Sequence, residues 1–207
     1  MMNLPADLFS PLVERALRVA ARAHRAQVRK ASDVPYVSHL AGVAIILCRA
    51  GFQDDAILAA ALLHDAVEDT DYTVEMLTAD FPTEVVAWVA AATERKTDAD
   101  GAKRPWEDRK LEHIAQVAAA PLEARAMVLA DKLHNLGSML YDLAAGESLW
   151  DRFNAPRERI LWYHREMIDR AVGDEPRLAG LAAACRVLVG RLEAQPVNRE
   201  DSSPPPD

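Results

Sequence analysis

Apolar positions recur along this chain at three- and four-residue spacing and nowhere settle into sustained alternation, which is the periodicity of amphipathic helices rather than of strands. Leu12, Val13, Ala16, Leu17, Ala20 and Ala23 mark a first helix over residues 12–24. Residues 39–50 read as a second, ended by Gly51 in the position where glycine commonly terminates helices. Asp54 or Asp55 caps a third that runs into His64. Thr73 caps a short fourth ending near Phe81-Pro82, and Thr83 a fifth from Glu84 to about Thr93. From Leu122 onward Leu129, Leu133, Leu136, Leu140 and Leu143 carry a continuous apolar stripe, predicting a long seventh helix. Two further helical patterns cover residues 149–172 and 175–192. The expectation is an all-α bundle of eight or nine helices in a single domain, residues 1–197. Residues 198–207, rich in Ser, Pro and Asp, have little to bury and read as a disordered tail.

One interruption is informative. Residues 95–104 are charged, contain Gly101 and stop at Pro105, a loop of about ten residues, and loops that long are often functional.

Composition narrows the function classes. A chain of 207 residues with half of them hydrophobic can bury a sizeable core. A net charge of −8 argues against a nucleic-acid surface, so any polyanionic ligand needs a local basic pocket. Cys48 and Cys185 lie in apolar segments without C-x-x-C spacing and read as buried free thiols of a reducing compartment. The N-terminus lacks a basic start with an apolar region behind it, and no run of about 18 apolar residues follows, so a cytoplasmic protein without a membrane partner is expected. Nothing at residue level argues for a homo-oligomer.

The densest chemistry lies in Ala61-Leu62-Leu63-His64-Asp65-Ala66-Val67-Glu68-Asp69-Thr70. Helical neighbours point about 100° apart and residues four apart share a face, so His64 lies above Glu68 and Asp65 above Asp69. One helix end thus offers two metal-ligand candidates and two acid/base groups, since imidazole and carboxylate suit a transition-series divalent ion. Asp131 sits beside the apolar stripe of the long helix, one turn before Asn135, and a carboxylate there needs a partner. His39, after Pro35-Tyr36-Val37-Ser38, is the remaining imidazole near a helix start. His24, His113 and His164 have no such cluster and read as packed or solvated, whereas His134 is ambiguous. Lys132 points about 100° away from Asp131 and is the weaker candidate. Trp150, Phe153, Trp162 and Tyr163 read better as core packing than as one stacking platform for a base. Asp69-Thr70-Asp71 lacks the glycine and terminal Glu of a calcium loop.

The order His39, His64-Asp65, Asp131 resembles the HD-domain superfamily of metal-dependent phosphohydrolases. The wider text is more specific: His24-x-x-Gln27-x-Arg29-Lys30, Pro35-Tyr36-x-x-His39, Ala60-Ala61-Leu62-Leu63-His64-Asp65-x-x-Glu68-Asp69-Thr70 and Leu129-Ala130-Asp131-Lys132-Leu133-His134-Asn135-Leu136. Together, over about residues 8–172, these resemble the hydrolase domain of the Rel/SpoT homologues, in particular the small alarmone hydrolases. The resemblance implies that His39, His64, Asp65 and Asp131 hold one manganese ion. It implies that Glu68 and Asp69 activate and orient the attacking water, that Arg29 and Lys30 lie beside the phosphates, and that Asn135 contacts the nucleotide. The implied reaction removes pyrophosphate from the 3′ position of guanosine tetra- or pentaphosphate. A basic pair such as Arg29-Lys30 is also favourable at a helix end whatever its function. The sequence departs from the family at Leu40, where proline is common, and over residues 95–110, which match only at Arg109-Lys110. That second departure leaves open the base and phosphate pattern, with a phosphohydrolase of an adenosine alarmone or NADPH, or a non-catalytic alarmone sensor, as alternatives.

Overall fold

The computed structural model describes residues 9–30, 33–146 and 148–196. Ten α segments follow one another: α1 Pro11–Ala23, α2 Val37–Arg49, α3 Asp55–Leu63, α4 Ala66–Asp69, α5 Val74–Asp80, α6 Thr83–Ala92, α7 Trp106–Ala118, α8 Leu122–Ala144, α9 Arg157–Val172 and α10 Ala179–Glu193. Nine have seven residues or more and α4 is a single turn, in agreement with the expected all-α bundle. Among the described residues the only β-type pairings are isolated bridges, Val28 with Pro35 and Thr97 with Lys103. The expected tail, residues 198–207, lies outside the described residues.

Local chemistry explains most boundaries. Ser10 Oγ accepts the Val13 N–H at 3.2 Å ahead of Pro11, Asp54 Oδ1 accepts the Ala56 N–H at 2.8 Å, and Thr73 Oγ1 accepts the Met76 N–H at 3.3 Å. Each satisfies an amide that the helix itself cannot. Gly51, with φ +89°, ends α2 as expected. Four helices, α6, α7, α8 and α9, begin directly after an extended proline at Pro82, Pro105, Pro121 and Pro156. Thr83 is therefore the first residue of α6 rather than its cap.

Proline also corrects the expected helix over 149–172. Pro156 has no N–H and its ring disfavours helical backbone at the residue before it, so the segment divides into a 3₁₀ turn, Trp150–Arg152, and α9. Over 175–192, Glu175 caps a second 3₁₀ turn, Pro176–Leu178, before α10 starts. The third predicted helix is broken as well. α3 stops at Leu63, and Asp65 has ψ −5°, away from the helical value of about −42°. His64 and Glu68 therefore do not share one uninterrupted helix.

α3 is the hub of the core. Seven of its nine residues are buried, and it packs against α1, α2, α6 and α8. The 23 residues of α8 make a rod about 35 Å long that also touches α2, α6, α9 and α10. Residues 95–104 form an ordered turn: Asp98 Oδ1 accepts the Asp100 and Ala102 amides, and Gly101 turns the chain at φ +79°. Cys185 is buried and Cys48 half-buried, both as free thiols. No described helix is long and apolar enough to cross a membrane.

Candidate functional site

α2, α3 and α8 meet where His39, His64 and Asp131 converge. His39 lies in the first turn of α2 with no exposed surface. His64 follows the last residue of α3, and its Nδ1–H donates to the Ala61 carbonyl at 2.7 Å, which turns Nε2 inward. Asp131 projects from the middle of α8. Nε2 of His39 lies 3.2 Å from Asp131 Oδ1 and 3.6 Å from Asp65 Oδ2, and Nε2 of His64 lies 3.1 Å from Asp65 Oδ2 and 3.8 Å from Asp131 Oδ1.

These four side chains fit a divalent ion. Both Nε2 atoms are buried without a hydrogen-bond partner, a costly arrangement unless something accepts their lone pairs. Ligand atoms of His39, His64 and Asp131 all lie within 4.8 Å of one another. Two ligands each about 2.1 Å from a shared ion stand roughly 3.0–3.4 Å apart, close to the spacings above. Burial alone would raise the Asp65 carboxyl, but the imidazoles of His64 and His39 hold it well below the usual carboxylate range. Asp131 is held low in the same way, against burial, by Lys132 and the imidazoles.

A second layer orients the first. Tyr36 Oη donates to Asp65 Oδ2 at 2.7 Å, Asn135 Nδ2 to Asp131 Oδ1 at 2.5 Å, and Lys132 Nζ to Asp131 Oδ2 at 2.8 Å. Lys132 therefore does not point elsewhere: its long stem curls back past the angular offset of its Cα to neutralise its neighbour.

Glu68 and Asp69 hang from α4 beside this cluster. Glu68 Oε2 accepts the Glu94 N–H at 2.9 Å, and Lys96 Nζ lies 3.1 Å from Glu68 Oε1 and also pairs with Asp69. Burial, with the charge of Asp65 adding to it, pushes the Glu68 carboxyl up, towards the range in which a carboxylate accepts a proton. Gln27 Nε2 anchors the Asp69 carbonyl at 2.7 Å.

Arg29 and Lys30 reach the same chamber. Arg29 Nη2 donates to Asn135 Oδ1 at 2.8 Å, and its guanidinium lies 5.6 Å from the centre of the Tyr36 ring. Lys30 Nζ lies 4.7 Å from the centre of the Phe153 ring, and burial lowers its pKa despite Asp69 nearby. One cavity of about 440 Å³ exposes Asp65, Asp131, Glu68, Asp69, Arg29, Lys30, Lys96 and Asn135 together. All the sequence-derived candidates except the fully buried His39 face it.

The sequence reading missed one wall of this chamber. Glu94, only 6% exposed, receives Arg109 Nη1 at 2.7 Å and also pairs with Lys110. The sign available was Arg109-Lys110 itself, where the divergent segment rejoins the family text; the buried glutamate had none. His113 is the packed residue it was read as: its Nε2 faces the Ala92 carbonyl at 2.7 Å, its Nδ1 the Tyr163 hydroxyl at 3.0 Å, and burial lowers its pKa to about 4. The aromatics form separate pairs, Trp150 with Phe153 and Trp106 with Trp162, rather than one platform.

Two imidazoles and two carboxylates meet in an all-α bundle, with an acidic pair and several cations lining the same cavity, an arrangement able to take a divalent ion beside an anionic group. The HD-domain family profile matches residues 16–147, and the chain belongs to that family. A GTP pyrophosphokinase of Streptomyces coelicolor is 42% identical over 132 residues, which are 62% of this chain and 15% of that protein. The chain thus spans a small part of that relative. Guanosine-3′,5′-bis(diphosphate) 3′-pyrophosphohydrolase MESH1 of Drosophila melanogaster is 32% identical over 164 residues, covering 78% of this chain and 86% of the relative. The solved structure of a metazoan orthologue of SpoT, described as hydrolysing ppGpp with a role in starvation responses, superposes with a TM-score of 0.74 at 28% identity, over 88% of this chain and 96% of that one.

Proposed function

We propose that this protein is a manganese-dependent hydrolase that removes pyrophosphate from the 3′ position of guanosine 3′,5′-bis(diphosphate) and its pentaphosphate relative. The observation that carries the reading is the shared cavity, onto which His64, Asp65 and Asp131 of the ligand cluster, Glu68-Asp69 and the cations Arg29, Lys30 and Lys96 all open. The names of the MESH1 relatives and of the SpoT orthologue support the substrate class.

His39, His64, Asp65 and Asp131 are the residues that would hold the ion. When bound, a divalent ion supplies Lewis acidity and a water of lowered pKa. Glu68 is the group to accept the proton of the attacking water: it lies beside the ligand cluster, and burial with the charge of Asp65 raises its carboxyl and so its basicity. Asp69, held by Lys96 and through its carbonyl by Gln27, orients that water. Arg29 and Lys30 neutralise the phosphate charge, and Asn135, already bonded to both Arg29 and Asp131, ties the nucleotide site to the ligand cluster. Water adds to the phosphorus joined to the ribose 3′ oxygen, that P–O bond breaks, and GDP and pyrophosphate leave.

The test is turnover by purified protein, stripped with chelator and reloaded with manganese, on guanosine tetra- and pentaphosphate, the adenosine counterparts and NADPH. Pyrophosphate and GDP from the guanosine tetraphosphate support the reading. Turnover of NADPH or the adenosine nucleotides alone reassigns the substrate, and an intact panel leaves the protein a binder. Magnesium, zinc and cobalt in parallel reloads decide the metal.

A further inference from the structure

His134 has no part in the reaction proposed above, yet its ring is bonded to His39. The two Nδ1 atoms face each other at 3.0 Å, with the rings edge to face at 4.8 Å between centroids. A single proton fits between them.

Which ring owns that proton decides what His39 can do. Its other nitrogen, Nε2, points at Asp131 Oδ1 and Asp65 Oδ2. A neutral imidazole that offers a lone pair at Nε2 carries its proton on Nδ1, and a buried N–H needs an acceptor. Ligating histidines commonly find theirs in a carboxylate, a backbone carbonyl or water. His64 follows that rule with the Ala61 carbonyl. His39 has the Nδ1 of His134 instead, which accepts only if His134 keeps its own proton on Nε2.

The backbone makes room for this contact. Gly42 lies three residues beyond His39 in α2, inside the helix, where glycine is weaker than alanine. A Cβ built on it would stand 2.2 Å from both Cδ2 and Nε2 of His134, far inside contact distance. The His134 ring is seated against the bare backbone of the helix that presents His39. Ser138 Oγ, one turn along α8, is its more distant neighbour at 3.4 Å.

We propose that His134 is a positioning residue that holds His39 as the Nδ1–H tautomer, with Gly42 as its seat, so that Nε2 is available to the metal. The inference rests on the metal-site reading and adds a residue to it.

Zinc serves as a diamagnetic probe. Chelator competition gives its affinity for the stripped wild type and for His134→Phe, His134→Asn and His134→Gln, and long-range ¹H–¹⁵N spectra of the zinc-loaded wild type report the His39 tautomer. His134→Phe, which keeps a ring but removes the acceptor, should weaken zinc binding by roughly 10- to 100-fold. His134→Asn, whose Oδ1 can stand where Nδ1 does, should restore most of that loss, and His134→Gln should not. The spectra should show the His39 proton on Nδ1. Wild-type affinity in a folded His134→Phe, or a zinc-loaded His39 protonated on Nε2, overturns the proposal. Should His134→Phe fail to fold, equal affinities of the Asn and Gln variants overturn it. Failure of the wild type to bind zinc or manganese at all overturns the metal-site reading itself.

Discussion

Lys96 Nζ lies 3.1 Å from Glu68 Oε1. It also pairs with Asp69, so one ammonium from the turn over residues 95–104 bridges both members of the acidic pair. Burial and Asp65 raise the Glu68 carboxyl, and Lys96 pulls it back down. Removing that cation raises it further. A base must be unprotonated to act, so Lys96→Ala should move the acidic limb of the pH–rate profile to higher pH and lower kcat/KM by roughly tenfold or more at neutral pH. Profiles of the two proteins on the same nucleotide check this; an unmoved limb removes Lys96 from the electrostatics of Glu68.

Glu68→Gln separates proton transfer from ion binding. Loss of a positioned general base costs roughly 10²- to 10⁴-fold in kcat. Glu68 is not among the ligand atoms, so manganese affinity should stay within a few-fold of wild type. Turnover together with calorimetric titration of the ion reads both quantities, and parallel loss of metal and activity would place Glu68 in the ligand set.

Glu94 holds Arg109 and Lys110 in the chamber wall. Breaking a buried pair by removing one partner strands the other charge, which costs about 3–5 kcal/mol. Glu94→Ala should show that loss in urea unfolding at pH 7. Burial would raise this carboxyl, but Lys110 and Arg109 hold it below its ordinary 4.5. A depressed carboxyl contributes stability that is fully present above its unfolded pKa and disappears as pH falls through the lower folded one. The wild type should therefore lose this share of its stability on acidification below about pH 4.5, and the variant, lacking it already, should have a flatter acid limb.

Metal removal should be visible without substrate. An ion that binds only the folded state adds about 2.7 kcal/mol at a hundred times its dissociation constant. For a domain of this size that is a rise in Tm of roughly 5–10 °C. Differential scanning calorimetry with chelator and with added manganese measures the difference, and His64→Ala should abolish it.

Much of this site was legible because its chemistry is local in sequence. His64, Asp65, Glu68 and Asp69 sit within one short run, and the apolar stripe around Asp131 marks a carboxylate aimed at the core. Boundaries were harder where proline decides: periodicity alone carried the expected helix through Pro156, whose missing amide forbids it. The break at His64-Asp65 has no sequence sign, since every residue there tolerates a helix and tertiary packing chooses the turn. Glu94, and the partners of Lys96 within the charged loop already singled out, were invisible for another reason. They meet their partners across 15 to 28 residues of chain, through a turn whose geometry the three-dimensional fold alone supplies.

α3 ties two properties that many proteins keep apart. Ala59, Ala60 and Ala61 have no exposed surface, and their small side chains let α3 lie close among its neighbours just before the chain turns out at His64. The packing that holds α3 in the core therefore also sets where His64 stands, since the Ala61 carbonyl receives its Nδ1–H. A change at Glu68, which hangs from α4, leaves that packing untouched, so the imidazole of His64 keeps its seat whatever becomes of the acidic pair beside it.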